Sequence, residues 1–106
     1  MSEVENIIKR ARVAQAEYQS YTQEHVDLVV SAVAWAILEP GRNAELAELA
    51  VRDTGLGDAA DKFKKNFRKT LGLVRDLQKA KTVGMIAHDP LTGITEYARP
   101  VGVVAR

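Results

Sequence analysis

The chain has 106 residues, 46% of them hydrophobic and 27% charged, with a formal net charge of +1 and no cysteine. That size allows one domain burying roughly two-thirds of its unfolded surface, hence one small core, and the composition is that of a soluble globular protein. Without cysteine, a disulfide framework, a thiolate nucleophile and a cysteine-based zinc site are all excluded from these residues.

No apolar run approaches the ~20 residues that cross a bilayer, so no membrane partner is expected. The opening MSEVENIIKR carries acids and no apolar core of a signal peptide, which predicts a cytoplasmic protein. Charge is unevenly spread: residues 1–61 hold 11 acids and 5 bases, whereas residues 62–81 hold 8 bases and 1 acid.

Ser2 and Glu5 have the spacing of a capping box and start the first helix. Val4, Ile7, Ile8, Ala11, Ala14 and Tyr18 fall on one stripe of it, and Lys9, Arg10 and Arg12 face water. Thr22 caps the second helix, with Gln23 and Glu24 in its first turn. Val26, Val29, Val30, Val33 and Ile37 make its main apolar face, and Leu28, Ala32, Trp35 and Ala36 add a second flank. Two apolar flanks predict a helix covered on more than one side, at the centre of the helical core.

Glu39-Pro40-Gly41 ends that helix, and Asn43 is the expected cap of a third containing Leu46, Ala47, Leu49, Ala50 and Val51. Gly55 occupies the left-handed position that closes it. Asp58 then caps a fourth helix, with Asp61 in its front turn and Lys79 and Lys81 at its rear. Its buried stripe is expected to be Phe63, Phe67, Leu71, Val74 and Leu77. Gly72 lowers its helix propensity by about 1 kcal/mol relative to alanine, which suggests a kink or a close contact.

From Thr82 the periodicity changes. TVGMIAH and ITEYARP are short and rich in β-formers, and Asp89-Pro90-Leu91-Thr92-Gly93 between them has the proline and glycine of a turn, so a hairpin is predicted. The run Val101-Gly102-Val103-Val104-Ala105 is continuously apolar, as in a strand buried on both faces, and such a strand needs neighbours. The expected architecture is four helices, a β-hairpin and the start of a buried strand.

No set of side chains here could run a reaction. His25 and His88 lie on different elements, without cysteine partners or a metalloprotease spacing, and read as solvated residues. Thr54-Gly55-Leu56-Gly57 before Asp58 superficially suggests a phosphate loop, but it follows a helix and lacks the remaining fingerprint residues. Asp58 would also repel a phosphate, and the structural reading is a helix end and a tight reversal. Lys62, Lys64, Lys65, Arg68 and Lys69 interleave with Phe63 and Phe67, the one pattern that fits a phosphate-rich partner. Both rings, however, fall on the apolar stripe at i and i+4, and rings buried in a core cannot stack on bases, so the cations read as a solvated face. Glu45, Glu48, Asp53, Asp58 and Asp61 are dispersed, so no general acid or base is nominated.

Gln23-Glu24 with Val26-Asp27, Asp53-Thr54-Gly55 with Gly57, Asp61-Lys62 with Lys65-Asn66, Lys81-Thr82-Val83-Gly84, Gly93-Ile94, and Ala98 with Pro100-Val101-Gly102-Val103-Val104 follow one another along nearly the whole chain. In these pieces it resembles the amino-terminal part of an aldehyde dehydrogenase, most of all the CoA-acylating branch. Thr70-Leu71-Gly72-Leu73 with Tyr97-Ala98-Arg99-Pro100 is similar to the acylating sulfoacetaldehyde dehydrogenases, although Arg99 stands where many members carry an acid.

The resemblance implies an α/β parent of Rossmann type. In it, residues 1–81 are the helical N-terminal part of the cofactor-binding domain, 82–100 the β-hairpin of the oligomerisation arm, and 101–106 the truncated first strand of the nucleotide-binding sheet. It further implies a parent in which a cysteine thiolate attacks an aldehyde, hydride passes to NAD or NADP, and the acyl group passes to CoA. The nucleophile, the cofactor loops and the acid/base groups are then expected beyond Arg106, so no catalytic, cofactor-binding or metal residue is assigned and no cofactor is expected to bind this piece. Expected partners are the remainder of the parent chain and further copies through the 82–100 hairpin, with no nucleic acid. The expected protein is an inactive, truncated piece of an oxidoreductase. The alternative is a small helical binding module whose basic face, residues 62–81, contacts phosphate-rich partners. A third reading has Lys64 and Lys65 attract the phosphates of CoA in the parent.

Overall fold

The computed structural model describes residues 2–105. In chain order it contains helices α1 (Glu3–Tyr18), α2 (Gln23–Leu38), α3 (Pro40–Thr54) and α4 (Ala59–Leu77), then strands β1 (Gly84–Asp89) and β2 (Ile94–Ala98), paired antiparallel. The chain divides into two compact units, Met1–Val26 with Lys81–Arg106 and Asp27–Ala80, the division falling inside α2.

In the first unit, α1 begins with the capping box read from the sequence. The Glu5 amide donates to Ser2 Oγ at 3.1 Å and the Ser2 amide donates to Glu5 Oε2 at 2.7 Å. No residue of α1 is buried, in keeping with a surface helix. The Tyr18 and Tyr21 rings meet edge to face at 5.4 Å across the turn that follows, and Thr22 Oγ1 accepts the His25 amide at 3.2 Å at the start of α2.

The hairpin closes as its turn residues require. The Gly93 amide donates to the Asp89 carbonyl at 2.8 Å, the Leu91 amide donates to Asp89 Oδ1 at 2.9 Å, and Gly93 sits at φ 71°, where a side chain would be strained. The register pairs Met85 with Tyr97 and Ala87 with Glu96, leaving Ile86 as the extra residue of a β-bulge. Residues 101–105 are exposed and carry no assigned strand, because no neighbouring strand exists for them among the described residues. Arg106, the last residue of the expected strand, lies outside the described residues.

In the second unit, α3 follows α2 at once. Glu39, not Asn43, is its N-cap: Glu39 Oε1 accepts the Gly41 amide at 3.0 Å and Oε2 accepts the Arg42 amide at 2.8 Å, with Pro40 in the first turn where its missing N–H costs nothing. Arg42 Nε in turn donates to the Ala36 carbonyl at 2.9 Å, satisfying a carbonyl orphaned at the end of α2. Gly55 ends α3 at φ 66°, and Asp58 Oδ1 accepts the Asp61 amide at 3.0 Å to start α4, both as expected.

The centre of this unit is the packing of α3 on α4, not α2. The buried residues described are Ala34, Asn43 and Ala47, so α2 contributes a single alanine while its second flank stays open, with Leu28 65% and Trp35 58% exposed. The stripe of α4 is likewise only half covered, Phe67 remaining 45% exposed and Leu77 50%. The helix runs unbroken across Gly72, and no neighbour lies within 4 Å of where its Cβ would stand, so no close contact accounts for this glycine.

Candidate functional site

Two polar joints organise the units, one in each. In the second unit, Asn43 is fully buried on α3 and reaches across to α4: its Nδ2 donates to the Phe63 carbonyl at 3.0 Å, and its Oδ1 accepts Asn66 Nδ2 at 2.9 Å. Ala47, one turn further along α3, is 1% exposed, and this small residue lets the two helices approach closely. The joint fixes the register of α3 against α4 and holds no titratable group.

In the first unit, Gln23 at the start of α2 holds the chain that leads into β1. Its Oε1 accepts the amides of Thr82 at 2.8 Å and Val83 at 3.0 Å, and its Nε2 donates to Thr82 Oγ1 at 2.9 Å. Gly84 follows immediately at φ 77°. In sequence Gln23 falls in a helix's first turn and Thr82 at a strand start, and a separation of 59 residues carries no local signal that would join them.

The residues singled out for chemistry remain apart. His25 is exposed on α2, its ring 4.8 Å from that of Tyr21, and His88 Nδ1 lies 2.7 Å from Thr95 Oγ1 across the hairpin. Among the described residues no group of three or more His, Cys, Asp or Glu could hold a metal ion. The 54–58 segment spends its polar groups on itself, Thr54 Oγ1 donating to the Ala50 carbonyl at 2.6 Å and accepting the Leu56 amide at 3.2 Å. At Gly57 a Cβ would stand 3.0 Å from Lys62 Cε, so the lysine stem covers the loop. This is a helix-to-helix reversal, and it does not fit the pyrophosphate of a dinucleotide or of CoA.

Lys64, Lys65, Arg68 and Lys69 are exposed on α4, with Asp61 and Asp76 on the same helix. Phe67, expected on the buried stripe, is instead 45% exposed, because nothing among the described residues covers that part of the stripe. Burial therefore does not keep this ring from stacking.

Two carboxylates are held below their ordinary range. For Glu39 the main cause is the Arg42 amide, then the Gly41 amide; for Asp89 it is the Leu91 amide, then the Thr92 hydroxyl. Both are caps without a reacting partner. An open groove of about 490 Å³ runs beside α1, where Arg12, Gln15 and Gln19 stand with Ile8 and Val103. It offers a cation and two amides, but neither a nucleophile nor a base. No helix among the described residues is long and apolar enough to cross a membrane.

No family model matches the chain. It is 61% identical over 99 residues to the acylating sulfoacetaldehyde dehydrogenase of Cupriavidus necator, covering 93% of this chain and 20% of that protein. A protein of the same name from Bilophila wadsworthia is 42% identical over 104 residues, 98% of this chain and 22% of the relative. The acetylating succinate-semialdehyde dehydrogenase of Clostridium kluyveri is 35% identical over 103 residues, 96% of this chain and 22% of the relative. The chain thus spans about a fifth of the length of these relatives.

Proposed function

We propose that this chain, homologous along nearly its whole length to one fifth of an acylating aldehyde dehydrogenase, is the amino-terminal helical and hairpin part of such an enzyme. The observation that carries the reading is 61% identity across 93% of the chain. The parent enzyme oxidises an aldehyde to an acyl-CoA with NAD or NADP, and the aldehyde is sulfoacetaldehyde, the compound named in two of the relatives. The thiolate, the cofactor loops and the acid/base groups come from the remainder of the parent, since a segment without cysteine has no thiolate to attack a carbonyl. Residues 1–81 frame the cofactor-binding domain, 101–106 enter its Rossmann-type sheet, and the 82–100 hairpin joins copies of a cytoplasmic oligomer.

Exposed apolar side chains support the assignment: Leu28, Trp35, Phe67, Leu77 and Val101 all stand open, and apolar surface of this kind marks contact with further protein.

The test is a graft of residues 1–106 in place of the matching fifth of the Cupriavidus enzyme. NADH formation from sulfoacetaldehyde and CoA is expected from the graft and none from the free chain. A soluble but silent graft, or NADH production by the free chain, overturns the reading.

A further inference from the structure

We infer that Gln23 is a latch that sets the direction in which the hairpin leaves the first turn of α2, within its own unit. Residues 80–83 before β1 and 99–105 after β2 have neither helix nor strand, so the hairpin is tethered on both sides by irregular chain. A two-stranded hairpin on such tethers has no fixed direction of its own. The Gln23 carboxamide supplies one: two successive amides, Thr82 at 2.8 Å and Val83 at 3.0 Å, converge on one oxygen, and the amide nitrogen engages the Thr82 hydroxyl at 2.9 Å. A carbonyl oxygen has two lone pairs, so Oε1 is fully used, and three bonds fix the plane of the amide against the backbone. Gly84 at φ 77° then turns the chain into the strand, a conformation that glycine adopts without strain. Latch and glycine are adjacent, so direction is decided within three residues.

Side-chain length and chemistry both matter. Asparagine is one methylene short of the contact, and leucine has the volume but neither acceptor nor donor. Glutamate keeps the geometry: one oxygen accepts both amides, and the Thr82 hydroxyl rotates to donate to the other. Under the function proposed above, the hairpin is the arm that joins copies, and Gln23 sets where that arm points.

Amide hydrogen exchange on the full chain tests the latch without reference to catalysis. In the unsubstituted chain, the Thr82 and Val83 amides are expected to be protected although they lie outside any helix or strand. In Gln23→Leu their exchange accelerates roughly tenfold or more, while amides of the β1–β2 ladder are unchanged. In Gln23→Glu the protection is retained. Unprotected Thr82 and Val83 in the unsubstituted chain, unchanged exchange in Gln23→Leu, or equal loss in Gln23→Glu overturns the proposal. If Gln23→Leu lowers helix content generally, retention in Gln23→Glu decides. A silent graft would leave this exchange pattern intact, so the two readings fail separately.

Discussion

Asn43 shows how a residue type with a strong local preference is redirected by its surroundings. Asparagine commonly caps helices, but here Pro40 already opens α3 and the longer Glu39 side chain reaches both free amides, which leaves Asn43 inside the helix. There it is fully buried, and its amide is matched by the Phe63 carbonyl and Asn66. Replacing it with alanine strips Asn66 of its partner in a half-buried place, so Asn43→Ala is expected to lower stability by about 1–3 kcal/mol, read from the urea midpoint by circular dichroism. Glu39 makes a prediction with a definite sign. Its folded carboxyl lies below the ordinary range because two amides favour the ionised form. The stabilisation is therefore present above the unfolded value and is lost as pH falls through the depressed folded one. Helicity is expected to decline as pH falls below the ordinary glutamate value of 4.5, and Glu39→Gln is expected to flatten that part of the curve. Asp89 titrates in the same direction, so the difference between the two proteins isolates Glu39.

Among the elements, α2 and α4 carry more apolar surface than this chain covers. Both faces of α2 are apolar in sequence, yet only Ala34 is buried, and Leu28 and Trp35 stand open one helical face away from it. Trp35 is the single tryptophan, which makes it a reporter of that flank. In the free chain its fluorescence is expected to be red-shifted and readily quenched by acrylamide; in the grafted enzyme it is expected to shift to the blue and become shielded. An equally accessible Trp35 in both would mean that this flank is not a packing surface in the parent. The hairpin has the opposite balance: its turn is self-sufficient through Asp89 and Gly93, but among the described residues no further strand pairs with either outer edge.

For the whole molecule, the sequence by itself determined what is decided within a few residues. The capping box at Ser2 and Glu5, the glycine end of α3, the Asp58 cap and the hairpin turn are all formed. Each depends on partners no more than about four positions apart, where covalent geometry already brings them together. The sequence likewise carried the likeness to the acylating enzymes, because ordered short pieces survive without any knowledge of their contacts. Tertiary structure alone decided that Asn43 is buried, that α3 rather than α2 is central to its unit, and that Gln23 meets Thr82 across 59 residues. Those outcomes depend on which surfaces approach one another. An apolar stripe states that it seeks cover, and only the folded chain shows whether the cover is its own.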